Sequence, residues 1–455
     1  MNNVIDFINT SRDRYIDELK QYLAIPSISA LPEHAPDVKR AAEWSAAEMQ
    51  RVGLQNVKLV ETPGFPVVYG DWLGAPGAPT ILFYGPYDVQ PVDPLELWQS
   101  PPFEATIRDG EIYARGSADD KGQVFMHFKA IEAHLKQNGK LPVNIKIILE
   151  GEEEVGSANL DNFVKSHKDD LKADVVVISD SPMFDRGIPS ICYGLRGLVY
   201  FQIDLRGTKS DLHSGSFGGA VANPNMVLAQ ILAQMKDRGG RIKIPGFYDD
   251  VRDLKEEERE QWKKLPFNER RYAKELGAPK LFGESGYSTL ERVWARPTFE
   301  VNGLLGGFTG EGAKTVIPAI AMAKVSMRLV PNQDPDKIAS LFDSYVKQIA
   351  PAAVELSVTR MHGGKAWVAP IDHPAIQAAS RAFDKAFGKR PVFVREGGSI
   401  PVVATFAELL GLPSVLMGIG LPDENAHAPN EKLDLYNFQT GIAGSAHFFN
   451  EMKRK

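Results

Sequence analysis

The sequence predicts an α/β fold, a mostly parallel sheet with covering helices, interrupted by an inserted α+β domain. Three observations predict it. Four apolar runs end at loops bearing acidic residues or histidine, strand-like and helix-like segments alternate up to about Ile191, and the texture changes at Leu198 and reverts after His373. Such alternation marks a parallel sheet with crossover helices.

Taken in order, Thr80-Ile81-Leu82-Phe83-Tyr84 reads as a buried strand that delivers Gly85-Pro86 and Asp88 into a loop. Gln123 to Gln137 reads as a helix, with Asp119 and Asp120 just before it. Asn144 to Leu149 runs into Glu150-Gly151-Glu152-Glu153-Glu154, and Asp174 to Ile178 runs into Ser179-Asp180. Val199 to Leu205 then alternates, as a half-exposed strand does, and Pro224 to Met235 is helix-like. Asp249 to Glu275 is dense in charge and reads as solvated helices with few core positions. Ala323 to Val330 and Val354 to Val358 alternate again around a helix-like Asp334 to Ile349. Late in the chain Ser414 to Met417 runs into Gly418-Ile419-Gly420, with His427 beyond. Open α/β sheets place their sites at this carboxyl edge.

Composition narrows the function classes. A chain of 455 residues suggests roughly two to three domains. Hydrophobic residues make up 43% and charged residues 24%, which argues against disorder. The net charge of -6 offers no footprint for nucleic acid or an anionic membrane. Cys192 is the sole cysteine, so an internal disulfide framework and a cysteine-rich zinc site are excluded. The first residues carry no basic n-region and no apolar run is long enough to span a bilayer, so a cytoplasmic location is expected.

Each candidate ligand has a plain structural reading when taken alone. Asp119 and Asp120 could cap a helix, Glu152-Glu153-Glu154 could be a solvated acidic run, Asp180 a turn former and His427 a loop histidine. Together they are harder to dismiss. Carboxylates crowded at one sheet edge repel unless a cation or a proton compensates them.

The set Phe83-Tyr84-Gly85-x-Tyr87-Asp88-Val89-Gln90-Pro91, Arg115-Gly116-x-x-Asp119-Asp120-Lys121-Gly122, Glu150-Gly151-Glu152-Glu153-Glu154-x-Gly156-Ser157, Gly312 to Pro318 and Glu396 to Pro401 resembles the dinuclear-zinc exopeptidase family of carboxypeptidase G, aminoacylase and the carnosine and cytosolic nonspecific dipeptidases. The resemblance covers essentially the whole chain and is closest to the dipeptidase branch. It implies a catalytic domain of residues 1 to about 195 and about 382 to 455, with a lid and dimerisation domain at about 196 to 381. It further implies that Asp119 bridges two zinc ions, with Asp180 on one and Glu154 and His427 on the other. Manganese or cobalt suits the same nitrogen and oxygen donors. Glu153 becomes the general base and Asp88 the carboxylate that orients a ligand histidine. Arg328 and Ser399 resemble a clamp on the free carboxylate of a small peptide, while Thr315 and His213 match residues supplied by the second subunit of a homodimer.

Pro86 departs from this pattern, because it stands where the family has a ligand histidine. Proline has no side-chain donor, so one metal position is expected to be weak or empty. The other keeps Asp119, Glu154 and His427, a three-ligand set of the catalytic type. The expected activity is metal-dependent hydrolysis of a dipeptide. The alternatives are a silent or mononuclear peptide binder, an N-acyl amino acid amidohydrolase, and a scaffold built on the dimerising insert.

Overall fold

The computed structural model describes residues 1–398 and 400–453. Two compact units divide the chain: Met1–Tyr193 with Ala369–Val394 and Thr405–Lys455, and Gly194–Val368 with Arg395–Ala404.

In the first unit the strands lie in the order Gln55–Val60, Val67–Trp72, Asn144–Glu150, Thr80–Pro86, Val175–Ile178, Ser414–Leu416, Ser190–Leu195. The four strands legible as apolar runs are the central ones, and they are mutually parallel. Their register aligns the carboxyl ends: Pro86 stands opposite Glu150, and Ile178 opposite both Tyr84 and Leu416. Nearly every residue of these strands is buried, because a parallel sheet is covered on both faces. The flanking strands pair antiparallel.

Helix Lys121–Asn138 is buried from Lys121 through His134, on all sides rather than along one stripe. Helix Leu435–Lys453 packs on it and helix Pro374–Phe387 packs on Leu435–Lys453. Ala375, Ile376, Ala378, Ala379, Ala382 and Phe383 of the last-named helix join the core of this unit. The return to the first unit therefore falls at Ala369 rather than near residue 382, and the short segment Arg395–Ala404 goes with the second unit.

The second unit carries a four-stranded antiparallel sheet in the order Thr298–Gly306, Ile320–Leu329, Gly197–Arg206, Glu355–Gly364. Gly197–Arg206 alternates strictly between buried and part-exposed residues, the pattern of a sheet with one covered face. Val227, Leu228 and Ile231 of helix Pro224–Ala233 and Ile338, Phe342 and Val346 of helix Pro335–Ile349 fill that face. Both helices begin Asx-Pro. Asn223 and Asp334 accept backbone N–H bonds as N-caps, and the proline following each needs no N–H partner. The charge-dense stretch forms helices Glu256–Lys263 and Glu269–Glu275, in which Trp262 alone is buried. Strand Thr298–Gly306 was not expected from the sequence: its residues are mostly exposed and show no alternation.

Candidate metal centre

Asp88 follows the end of strand Thr80–Pro86 in a pinned loop. Tyr87 donates its N–H to the Glu150 carbonyl at 2.8 Å, and Val89 donates to the Ser27 carbonyl at 2.9 Å. Held between them, the fully buried Asp88 accepts the backbone N–H groups of Glu153 and Glu154 at 3.3 and 3.2 Å. Its carboxylate therefore fixes the short 3-10 turn Glu153–Val155. Pro86, one residue beyond Gly85, is buried in the strand and offers no donor atom.

Glu154, Asp119 and His427 converge. One potential ligand atom from each lies within 4.8 Å of the others. His427 Nε2 is 2.8 Å from Asp119 Oδ2 and 3.4 Å from Glu154 Oε2. Gln90 donates through Nε2 to Glu154 Oε2 at 2.8 Å, which turns that carboxylate toward the cluster. His427 has φ of 61°, a left-handed conformation uncommon outside glycine. Its loop is clamped by Asn430, whose Oδ1 accepts from Gln99 N at 2.8 Å and whose Nδ2 donates to the Leu97 carbonyl at 2.8 Å.

The surrounding electrostatics call for a cation. Burial first, and then the charges of Asp180 and Glu154, push the Glu153 carboxyl up to about 10. Burial, then Asp119 and Glu154, holds Asp180 well above the usual carboxylate range. Hydrogen bonds to Asp119 and then Glu154 raise the His427 imidazole to about 10. Asp120 is fully buried beside Asp180 and Asp119, and neither of its oxygens has a hydrogen-bond partner among the described residues. Although it occupies the N-cap position of helix Lys121–Asn138, it makes no side-chain cap bond, so the capping reading does not explain it. Two carboxylates and an imidazole around a shared point, ringed by further carboxylates that resist ionising, fit a divalent ion. Asp180 and Glu153 stand outside the converging trio, and the charges of Asp119 and Glu154 are felt at both of them.

The remaining candidates belong to the second unit. His213, exposed in the two-stranded ribbon of Leu212–His213 with Val316–Ile317, accepts at Nδ1 from Gly215 N and Ser216 N at 3.0 and 3.2 Å. Thr315 is exposed beside it and its carbonyl accepts from Ser214 N at 3.0 Å. Arg328 lies on Ile320–Leu329, and its charge, after burial, lowers both Arg196 and His362. Arg196 and His362 escaped the sequence reading, since neither belongs to a motif; Ser399 lies outside the described residues.

Residues 82–451 match the model of peptidase family M20/M25/M40. The chain belongs to that family. It is a peptidase, a hydrolase of peptide-type bonds. It is 34% identical to the Cys-Gly metallodipeptidase dug1 of Schizosaccharomyces pombe over 97% of this chain and 96% of that protein. It is 32% identical to the Beta-Ala-His dipeptidase of Homo sapiens over 99% of this chain and 92% of that one. The crystal structure of human carnosine dipeptidase 1 superposes with a TM-score of 0.88 at 32% identity, covering 100% of this chain and 99% of that one. An M20 family metallo-carboxypeptidase from Sulfolobus solfataricus gives 0.86 at 34% identity, over 96% and 99%. No helix among the described residues is long and apolar enough to cross a membrane.

Proposed function

We propose that this peptidase hydrolyses the amide bond of dipeptides and similar small substrates with a free carboxylate, using a divalent metal ion. The convergence of Asp119, Glu154 and His427 carries the reading, and its dipeptidase relatives support the substrate class. The donor set suits zinc, with manganese or cobalt as substitutes. A bound ion of this kind acidifies water and polarises a carbonyl.

The chain's own groups do the rest. Glu153 takes the proton of the attacking water and passes it to the leaving amine. Its high proton affinity arises from burial and from the uncompensated carboxylates around it, and a divalent charge held by Asp119, Glu154 and His427 would bring it down toward a working range. Asp88 holds Glu153 and Glu154 in register through their N–H groups. Arg328, with Ser399, binds the substrate carboxylate, and the nearby guanidinium of Arg196, whose pKa the Arg328 charge lowers after burial, supports that role. His213 donates to the developing oxyanion with Thr315 beside it. A homodimer in which these two residues serve the second copy's centre belongs to this reading. The exposed apolar residues Val301, Leu304 and Leu305 on edge strand Thr298–Gly306 support an interface there.

Asp180 and Asp119 alone make a poor second position, since Pro86 supplies nothing. The reading is therefore of one firmly held ion. Metal content per chain, measured alongside hydrolysis of Cys-Gly, β-Ala-His and an N-acetyl amino acid, tests it. One ion with dipeptide turnover is expected, and Pro86→His is expected to raise the count toward two. Absence of both metal and turnover in the parent defeats the reading; preference for the N-acetyl amino acid shifts the substrate class.

A further inference from the structure

The loop that carries Asp119 is wrapped around one buried carboxylate that takes no part in the proposed chemistry. Glu431 is 0% exposed and its ion-pair partner Arg115 is 1% exposed. Glu431 Oε2 accepts from Arg115 Nη1 at 2.7 Å and from Gly116 N at 3.0 Å. Oε1 accepts from Ala118 N at 2.9 Å and from the N–H of Asp119 itself at 3.0 Å. The Glu431 carbonyl takes the Ala114 N–H at 3.1 Å. Gly116, at φ of 84°, lets the successive amides turn toward one point, and a Cβ there would meet Val89 Cγ1 at 2.7 Å. Converging backbone N–H groups form an anion-holding concavity, filled here by a side chain of the same protein.

Glu431 also closes the segment that carries His427. It directly follows the pinned Asn430, and Lys432 N donates to the Glu424 carbonyl at 3.0 Å across the base of that loop. A single carboxylate thus ties together the two segments that bring His427 Nε2 within 2.8 Å of Asp119 Oδ2. Building on the metal-dependent reading above, we propose that Glu431 is a positioning residue of the metal centre, setting Asp119 against His427 through the backbone of the 116–119 loop. It touches neither ion nor substrate. Its effect is on the geometry and affinity of the ion site.

Cobalt(II) is the probe, titrated into metal-free parent, Glu431→Ala, Glu431→Gln and Glu284→Gln, with affinity and the visible ligand-field spectrum as readouts. Glu284 is the control, since it forms a buried pair with Arg296 at 2.7 Å in the second unit. The expected result is a loss of affinity of about 10 to 100-fold in Glu431→Ala, in line with other residues that orient metal ligands. Its visible band shifts, while Glu431→Gln, which keeps one accepting oxygen, falls between Ala and parent. Glu284→Gln keeps the parent affinity and spectrum. Should Glu431→Ala fail to fold, Glu431→Gln decides alone. Parent-like affinity and spectrum in the Glu431 variants overturn the proposal, as does an equal loss in Glu284→Gln. A parent that binds no cobalt defeats the metal reading itself, and this inference with it.

Discussion

His427 holds its imidazole at the cost of an uncommon backbone. A left-handed conformation costs a non-glycine residue about 1 to 2 kcal/mol, and the loop keeps it at φ of 61° through Asn430 and Glu431. Glycine relieves that strain and removes the ligand. His427→Gly is expected to lower metal affinity at least about 10-fold while the metal-free protein stays folded, as calorimetric titration and circular dichroism would show. Glu153→Gln preserves shape but not basicity. It is expected to cut kcat by about 100 to 10,000-fold with metal content unchanged, measured by steady-state kinetics beside metal analysis. Asp119 and Glu154 were legible because each sits in a motif, and His427 because it lies in the loop beyond the apolar run Ser414 to Met417. Asp120 was not, since a carboxylate before a helix reads as a cap until its oxygens prove to lack partners. Glu431 was equally hidden, and Gln90, although part of a motif, did not disclose its role: the work of both is hydrogen bonding to residues distant in sequence.

Among the elements, helix Lys121–Asn138 shows what full burial does to a titratable side chain. His127 sits between Ser445 Oγ and Ser179 Oγ, each at 2.8 Å, with its ring against Phe83 at 4.4 Å. Burial pushes its imidazole down to about 3. The folded state therefore binds fewer protons than the unfolded chain between the unfolded pKa near 6.5 and the folded one, so stability rises with pH there. The contribution is complete above about 6.5 and is lost as pH falls toward 3, at up to about 1.4 kcal/mol per pH unit. Urea unfolding at pH 7.5 and 5.5 is expected to show this loss, and His127→Gln is expected to shrink it; an unchanged difference would contradict the assignment. The parallel strands were readable because burial on both faces leaves a continuous apolar run. Edge strand Thr298–Gly306 was not, because Glu300, Val301, Asn302, Leu304 and Leu305 are all exposed and give no period to detect.

For the molecule as a whole, an ion held as proposed by Asp119, Glu154 and His427, far apart in sequence, would link metal binding to folding. Free metal at about 100 times its dissociation constant adds roughly 2.7 kcal/mol to the stability of whatever unit binds it. Zinc is accordingly expected to raise the melting transition of the first unit, and a chelator to reverse the shift, while a transition belonging to the second unit stays in place. Differential scanning calorimetry with and without chelator checks this. The division into α/β and α+β parts was legible from texture. The reversion of Arg395–Ala404 to the second unit was not, since a short segment carries too little pattern. The placement of strand Ser414–Leu416 between Val175–Ile178 and Ser190–Leu195 has a further consequence during biosynthesis. A ribosome delivers the neighbours of that strand more than two hundred residues before the strand itself. Until Ser414–Leu416 emerges the nascent sheet holds a gap with two unpaired edges, and until His427 follows no ion can be captured. The second unit can close upon itself in that interval, with only Arg395–Ala404 still to come. The peptidase thus gains its metal-binding capacity late in translation, and the waiting strands are the part of the newborn chain most in need of protection from other chains.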